Sequence, residues 1–167
     1  MSQPGGCSFD AANNRLFVAD GGNNRILVFD VASITNGDNA VNVLGQTIFT
    51  TSSSGTSQSE LSGPQTLAYD TANNRLFAVD PGNVRVIVFD VASITNGENA
   101  VNVLGQPNFT SSTLATTQSG MNVPRGVFYD AGAQRLFVSE QDNNRVLVFD
   151  VASITNGENA INVLGQP

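Results

Sequence analysis

The stretch Phe89-Asp90-Val91-Ala92-Ser93-Ile94-Thr95-Asn96-Gly97 decides the fold, because it occurs three times without a change. Phe29–Gly37 and Phe149–Gly157 are the other copies, at a period of 60 residues. Working outward, Val86–Gln106 and Val146–Gln166 differ only at Ile87/Leu147 and Val101/Ile161. Upstream, Met1–Asp10, Leu61–Asp70 and Met121–Asp130 share one register, each with Pro at its fourth position. Self-similarity at a fixed period marks a repeat architecture. The chain divides into three units, 1–46, 61–106 and 121–167, joined by linkers 47–60 and 107–120 that are rich in Ser and Thr. The near-identity of the units points to recent amplification or to engineering.

Each unit carries four strand signals. In the second they are Thr66–Asp70, Arg75–Asp80, Arg85–Asp90 and about 100–104, all short and rich in Val, Ile, Leu and Phe. Thr71-Ala72-Asn73-Asn74 and Pro81-Gly82-Asn83-Val84 are hairpin-length joins with turn residues, and Asn96-Gly97 marks a third turn. The unit therefore reads as a four-stranded antiparallel meander. Val86-Ile87-Val88-Phe89 is apolar on both faces, so the strand must be covered on both sides. One meander cannot do this alone, and the units must stack face to face. Three such sheets fit either blades of a β-propeller or a β-trefoil.

The residues favour the propeller. Leu61-Ser62-Gly63-Pro64-Gln65-Thr66-Leu67-Ala68-Tyr69-Asp70, Arg75-Leu76-Phe77-Ala78-Val79-Asp80 and Asn83-Val84-Arg85-Val86-Ile87-Val88-Phe89 resemble the NHL repeat. The resemblance lies in a Pro-Gly-start strand, a strand ending in Asp, and an Asn-Asn-Arg turn into the third strand. Asp20-Gly21-Gly22-Asn23-Asn24-Arg25 and Asn143-Asn144-Arg145 match more closely, whereas Val84 and Glu140 depart from the pattern. The Val-Leu-Gly-Gln-Pro ending followed by Asn-Phe-Thr resembles bacterial NHL-type repeats. The resemblance implies an all-β fold of three four-stranded antiparallel blades, half of a six-bladed ring. An open half exposes two blade faces, and about 400 Å² of apolar surface on one face corresponds to about 10 kcal/mol gross. A homodimer closing the six-bladed ring is therefore the expected assembly, with the chain itself as its own partner.

Composition narrows the chemistry. The chain of 167 residues has no His and no Trp, and all seven of its cations are Arg. Histidine catalysis and lysine Schiff bases are excluded. A net charge of −7 argues against nucleic acid and anionic membrane as partners. A single Cys makes no internal disulfide and leaves the compartment open. Met1-Ser2-Gln3-Pro4 has neither a basic n-region nor an apolar h-region, so no secretion signal is expected at this start.

Asp20, Asp80 and Glu140 end the second strand of each unit, and Arg25, Arg85 and Arg145 begin the third. They could form a carboxylate ring that holds Ca²⁺. A hairpin ion pair repeated for the sake of the fold is the preferred reading, with no catalytic residue, no metal and no cofactor. Asn-Gly pairs are read as turns. Cys7 aligns with Leu67 and Val127 and is read as a small buried hydrophobe. Phe17, Phe29, Phe77, Phe89, Phe137 and Phe149 are assigned to the core. Where the units differ a ligand is more informative to seek, and Gln65, Thr66 and Arg125 are candidates at the channel mouth. The favoured function is a non-catalytic scaffold that binds a protein or small molecule there. The family resemblance also brings an alternative, a metal-dependent lyase or lactonase-like enzyme, for which the absence of His removes the usual acid–base partner.

Overall fold

The computed structural model describes residues 1–166; Pro167, the last residue of the third unit, lies outside them. Blade 1 contains β1 (Pro4–Asp10), β2 (Arg15–Asp20), β3 (Arg25–Asp30) and β4 (Asn42–Leu44). Blade 2 contains β5 (Leu67–Asp70), β6 (Arg75–Asp80), β7 (Arg85–Asp90) and β8 (Asn102–Leu104). Blade 3 contains β9 (Pro124–Asp130), β10 (Arg135–Glu140), β11 (Arg145–Asp150) and β12 (Asn162–Gly165). Each is one antiparallel sheet with its strands in sequence order. β1 lies against β5, and β5 against β9, so the first strand of every blade faces a common axis. The fold is all-β and propeller-like, not a trefoil.

The fourth strand is shorter than its apolar run suggests. The Ala100 amide donates to the carbonyl of Gln58 at 2.9 Å, so Ala100 is spent on the linker and not on β7. β7 justifies its double-sided apolarity: Val86, Ile87, Val88 and Phe89 are all completely buried. Phe17, Ile26, Val28 and Leu44 meet Leu67, Leu76, Ile87 and Phe89 between blades 1 and 2. Phe77, Val86, Val88 and Leu104 meet Leu136, Leu147 and Phe149 between blades 2 and 3. Phe17 stacks on Tyr69 and Phe77 on Tyr129, with ring centroids 5.9 and 5.8 Å apart.

Polar clips reinforce both interfaces. Asn96 Oδ1 accepts from the Val43 amide, and Asn156 Oδ1 from the Val103 amide, each at 3.1 Å. The Asn-Gly loops thus do more than turn the chain: each fastens its blade to the outer strand of the preceding one.

The chain ends overturn part of the sequence reading. Cys7 is exposed, not buried. Its aligned partner Leu67 packs on blade 1, and no blade covers Cys7 among the described residues. Phe29 and Phe137 are only half-buried, for the same reason, while the other four phenylalanines of that set are completely buried. Met1 is 70% exposed, although its counterparts Leu61 and Met121 are fully enclosed.

Hairpin geometry explains the Asn-rich turns. Asn14, Asn24, Asn74 and Asn144 all have φ of 52°, a left-handed conformation Asn tolerates better than most residues. Gln134 takes φ 50° at the same place, exposed and with no such preference. Beside it, Ala133 replaces the Asn that donates to Asp10 Oδ2 at 2.8 Å and to Asp70 Oδ2 at 2.9 Å. The double substitution Ala133→Asn/Gln134→Asn should therefore stabilise blade 3 by about 1 kcal/mol. A urea titration checks this; an unchanged or lower midpoint would contradict it.

Candidate functional site: the hairpin rim

The β2–β3, β6–β7 and β10–β11 hairpins bring each acid opposite its Arg in register. Nε of Arg25 lies 2.7 Å from Asp20, that of Arg85 2.8 Å from Asp80, and that of Arg145 2.5 Å from Glu140. The same carboxylate oxygen of Asp20 and Asp80 accepts from Asn23 and Asn83. The other oxygen accepts from the backbone amide of Ser2 or Ser62, at 2.5 and 2.6 Å. Glu140 receives both the Asn122 amide and the Asn143 side chain on one oxygen. Each carboxylate thereby ties the entry of the inner strand to the next hairpin.

Arg85 is completely buried, and all five of its N–H donors have acceptors. Nε takes Asp80; Nη1 takes the carbonyls of Thr56 and Phe109; Nη2 takes those of Ser57 and Glu60. One guanidinium therefore gathers the linker arriving at blade 2 and the linker leaving it. Arg145 repeats the incoming half, donating to Thr116, Thr117 and Gly120. Arg25 repeats the outgoing half, donating to the Phe49 carbonyl.

Burial raises the Asp20 carboxyl, but Asn23, the Ser2 amide and Arg25 outweigh it and hold it below the ordinary value. Asp10 and Asp70 are lowered in the same balance of burial against Asn and Arg donors. At Asp80 burial is complete and pushes the carboxyl up, against the pull of Arg85.

A second set of pairs lies on the opposite rim and was not anticipated. Arg15 and Arg75 each reach their aspartates, Asp10 and Asp70, at 2.6 Å. Arg75 also donates to the Val151 carbonyl at 2.7 Å, linking blades 2 and 3. The signal was present: Asp-x-x-Asn-x-Arg occurs at 10–15 and 70–75 as well as at 20–25 and 80–85. Among the described residues no three His, Cys, Asp or Glu side chains group in a way that could hold a metal ion.

The three channel-mouth candidates do converge in part. Thr66 Oγ1 donates to the Arg125 carbonyl at 2.9 Å, and Arg125 Nε donates to Gln141 Oε1 at 2.8 Å. Gln65 and Thr66 line a cleft of about 400 Å³ with Gln3, Gly5, Gly6 and Pro64. The Gly6 amide donates to the Gln65 carbonyl at 2.5 Å. A Cβ at Gly5 would collide with that carbonyl, so glycine is required for the inner strands to approach.

No family model matches the sequence, and neither does any curated protein. Solved structures do resemble it. A chain in the crystal structure of a nidogen/laminin complex superposes with a TM-score of 0.62 at 19% identity, over 98% of this chain and 47% of that one. The structure of U3-55K gives 0.64 at 13% identity, over 97% of this chain and 39% of that one. Both are β-propeller-type folds, and the likeness supports the fold alone.

Two outcomes follow from the rim. Asp80→Asn leaves Arg85 buried without its counter-charge and should cost about 3 kcal/mol, measured by denaturant unfolding; a loss under about 1 kcal/mol would contradict the assigned pairing. Because Asp10, Asp20 and Asp70 are lowered on folding, their stabilisation is present above the ordinary carboxylate value of about 4 and is lost as pH falls through the folded values. Melting temperature should decline once pH falls below about 4, less steeply in Asp10→Asn, while the raised Asp80 carboxyl acts in the opposite sense.

Proposed function

We propose that the chain is an NHL-type half-propeller that closes a six-bladed ring with a second copy and acts as a non-catalytic binding scaffold. One observation carries this: equivalent side chains are buried inside the stack and exposed only at its two ends. On blade 1, Ile34 is 77% exposed, where Ile94 and Ile154 pack against the core. On blade 3, Leu164 is exposed, where Leu44 and Leu104 are completely buried. The two faces are what a head-to-tail contact joins, and a two-fold pair closes without leaving an edge.

Side-chain sizes at the ends support the same closure. Ala68 sits in the cluster between blades 2 and 3, with the branched Val127 packed against it. At the seam the sizes are reversed: Phe128, aligned with Ala68, is 66% exposed, and the small Cys7 aligns with Val127. Phe128 of one copy fills the space that Cys7 of the other leaves.

The ring presents Gln65, Thr66 and Arg125 at the channel mouth, a polar and non-repeating surface for a protein or small ligand. The rim carboxylates are committed to Arg and amide partners, which favours binding over catalysis.

Light scattering should give twice 17.5 kDa. Cys7→Phe should shift the protein toward the single-chain mass, and Cys7 should react with a thiol reagent faster on dilution as the seam opens. A folded single chain at all concentrations would overturn the ring.

A further inference from the structure

We infer that Asn96-Gly97 and Asn156-Gly157 are self-modification sites, held inert while the blades are docked and converted to isoaspartate when the blades part. Glycine leaves the amide that follows asparagine uncrowded, so this dipeptide cyclises readily. The backbone nitrogen of Gly97 attacks Cγ of Asn96. The N–Cγ bond forms, the Cγ–Nδ2 bond breaks, and the amine leaves as ammonia with the proton that the amide gives up through solvent. Water then opens the succinimide at either carbonyl, to aspartate or to isoaspartate. Water is the one co-reactant, and both asparagines are exposed to it.

The docked structure blocks the first step twice. The Gly97 amide donates to the Val43 carbonyl at 3.1 Å. Asn96 Oδ1 accepts from the Val43 amide at 3.1 Å and from Asn42 Nδ2 at 3.3 Å. Blade 3 repeats the clamp on blade 2: Gly157 donates to the Val103 carbonyl at 3.1 Å, and Asn156 Oδ1 accepts from the Val103 amide and Asn102 Nδ2. A nitrogen that donates to Val43 keeps its proton and is aimed away from Cγ, while the carboxamide is pinned by the same valine. Every partner in the clamp belongs to the preceding blade, so protection lasts as long as the two blades stay together.

The fold cannot dispense with the labile pair. Gly97 and Gly157 have φ of 70° and 69°, and a Cβ there would lie 2.9 Å from Thr47 Cα and 2.8 Å from Pro107 Cα. Asparagine supplies the acceptor that the outer-strand amide of Val43 or Val103 needs. Isoaspartate adds a methylene to the main chain and carries the Gly97 amide away from the Val43 carbonyl. It also places a new carboxylate two residues from Glu98, whose Oε1 is already buried without a partner among the described residues. Redocking is thereby disfavoured, and a transient opening becomes permanent. Both clips join blades of one chain, so neither ring closure nor the channel-mouth site enters the inference.

Peptide mapping by mass spectrometry, on the whole 167-residue chain aged in mildly alkaline buffer, tests this at each asparagine separately. Conversion at Asn96 and Asn156 should be at least tenfold slower than in a free peptide copying residues 92–101, and should reach the peptide's rate in guanidinium chloride. Val43→Pro removes the amide that pins Asn96 at an outward-facing position of an outer strand. It should raise conversion severalfold at Asn96 and leave Asn156 unchanged; if this variant does not fold, Asn42→Ala takes its place. Chains aged in denaturant and returned to buffer should unfold at a lower urea midpoint when they carry isoaspartate at 96. Conversion in the folded chain at the peptide's rate, no acceleration at Asn96 in a folded clamp variant, or equal midpoints with and without isoaspartate would overturn the inference.

Discussion

The guanidinium of Arg85 holds the architecture together. Taking a charge wholly out of water costs several kcal/mol, and the cost is offset only when every donor is met. Here every donor is met, one by Asp80 and four by carbonyls of the two linkers. Those carbonyls belong to irregular backbone that would otherwise lack partners away from a strand ladder. The same contacts that satisfy the cation therefore set the path of the chain from one blade to the next. That path fixes where β5 begins and how β5 lies beside β1.

Blade packing then depends on repeated pairs used in opposite senses. Tyr69 faces back to Phe17, and Tyr129 back to Phe77, while Asn96 and Asn156 reach back to the preceding outer strand. Every blade thus offers one face that grips and one that is gripped. In the middle blade both are satisfied, which is why β7 is buried from Arg85 to Phe89. At the ends Ile34 and Leu164 are exposed although the same residue types at the equivalent positions of the neighbouring blades are packed in the core.

The polar rim illustrates how repetition and variation divide the work. Asp20, Asp80 and Glu140 keep their Arg partners despite one extra methylene in Glu140, because the hairpin register brings the groups together. On the opposite rim, Ala133 interrupts the Asp-x-x-Asn-x-Arg pattern, and Arg135 forms no ion pair with Asp130 among the described residues. Gln65 and Thr66 differ from their counterparts in the other blades although both pair through the main chain with Val79, because main-chain bonds leave the side chain unspecified.

The strands, their antiparallel order and the Asp–Arg hairpins were legible in the sequence. Alternation, turn residues and a period of 60 act over short separations and repeat three times. The resemblance carried by the Pro-Gly start and the Asn-Asn-Arg turn separated propeller from trefoil. Burial was not legible for Cys7, Phe29 and Phe137, because alignment assigns them the environment of an inner blade and only stacking shows that they lie at an end. The five-donor role of Arg85 was also hidden. Its acceptors are main-chain carbonyls 24 to 29 residues away, and a carbonyl looks the same under every residue type. Sequence determined the blade, since its contacts are local; tertiary structure decided the linker path and the two open faces, since these arise only when blades meet.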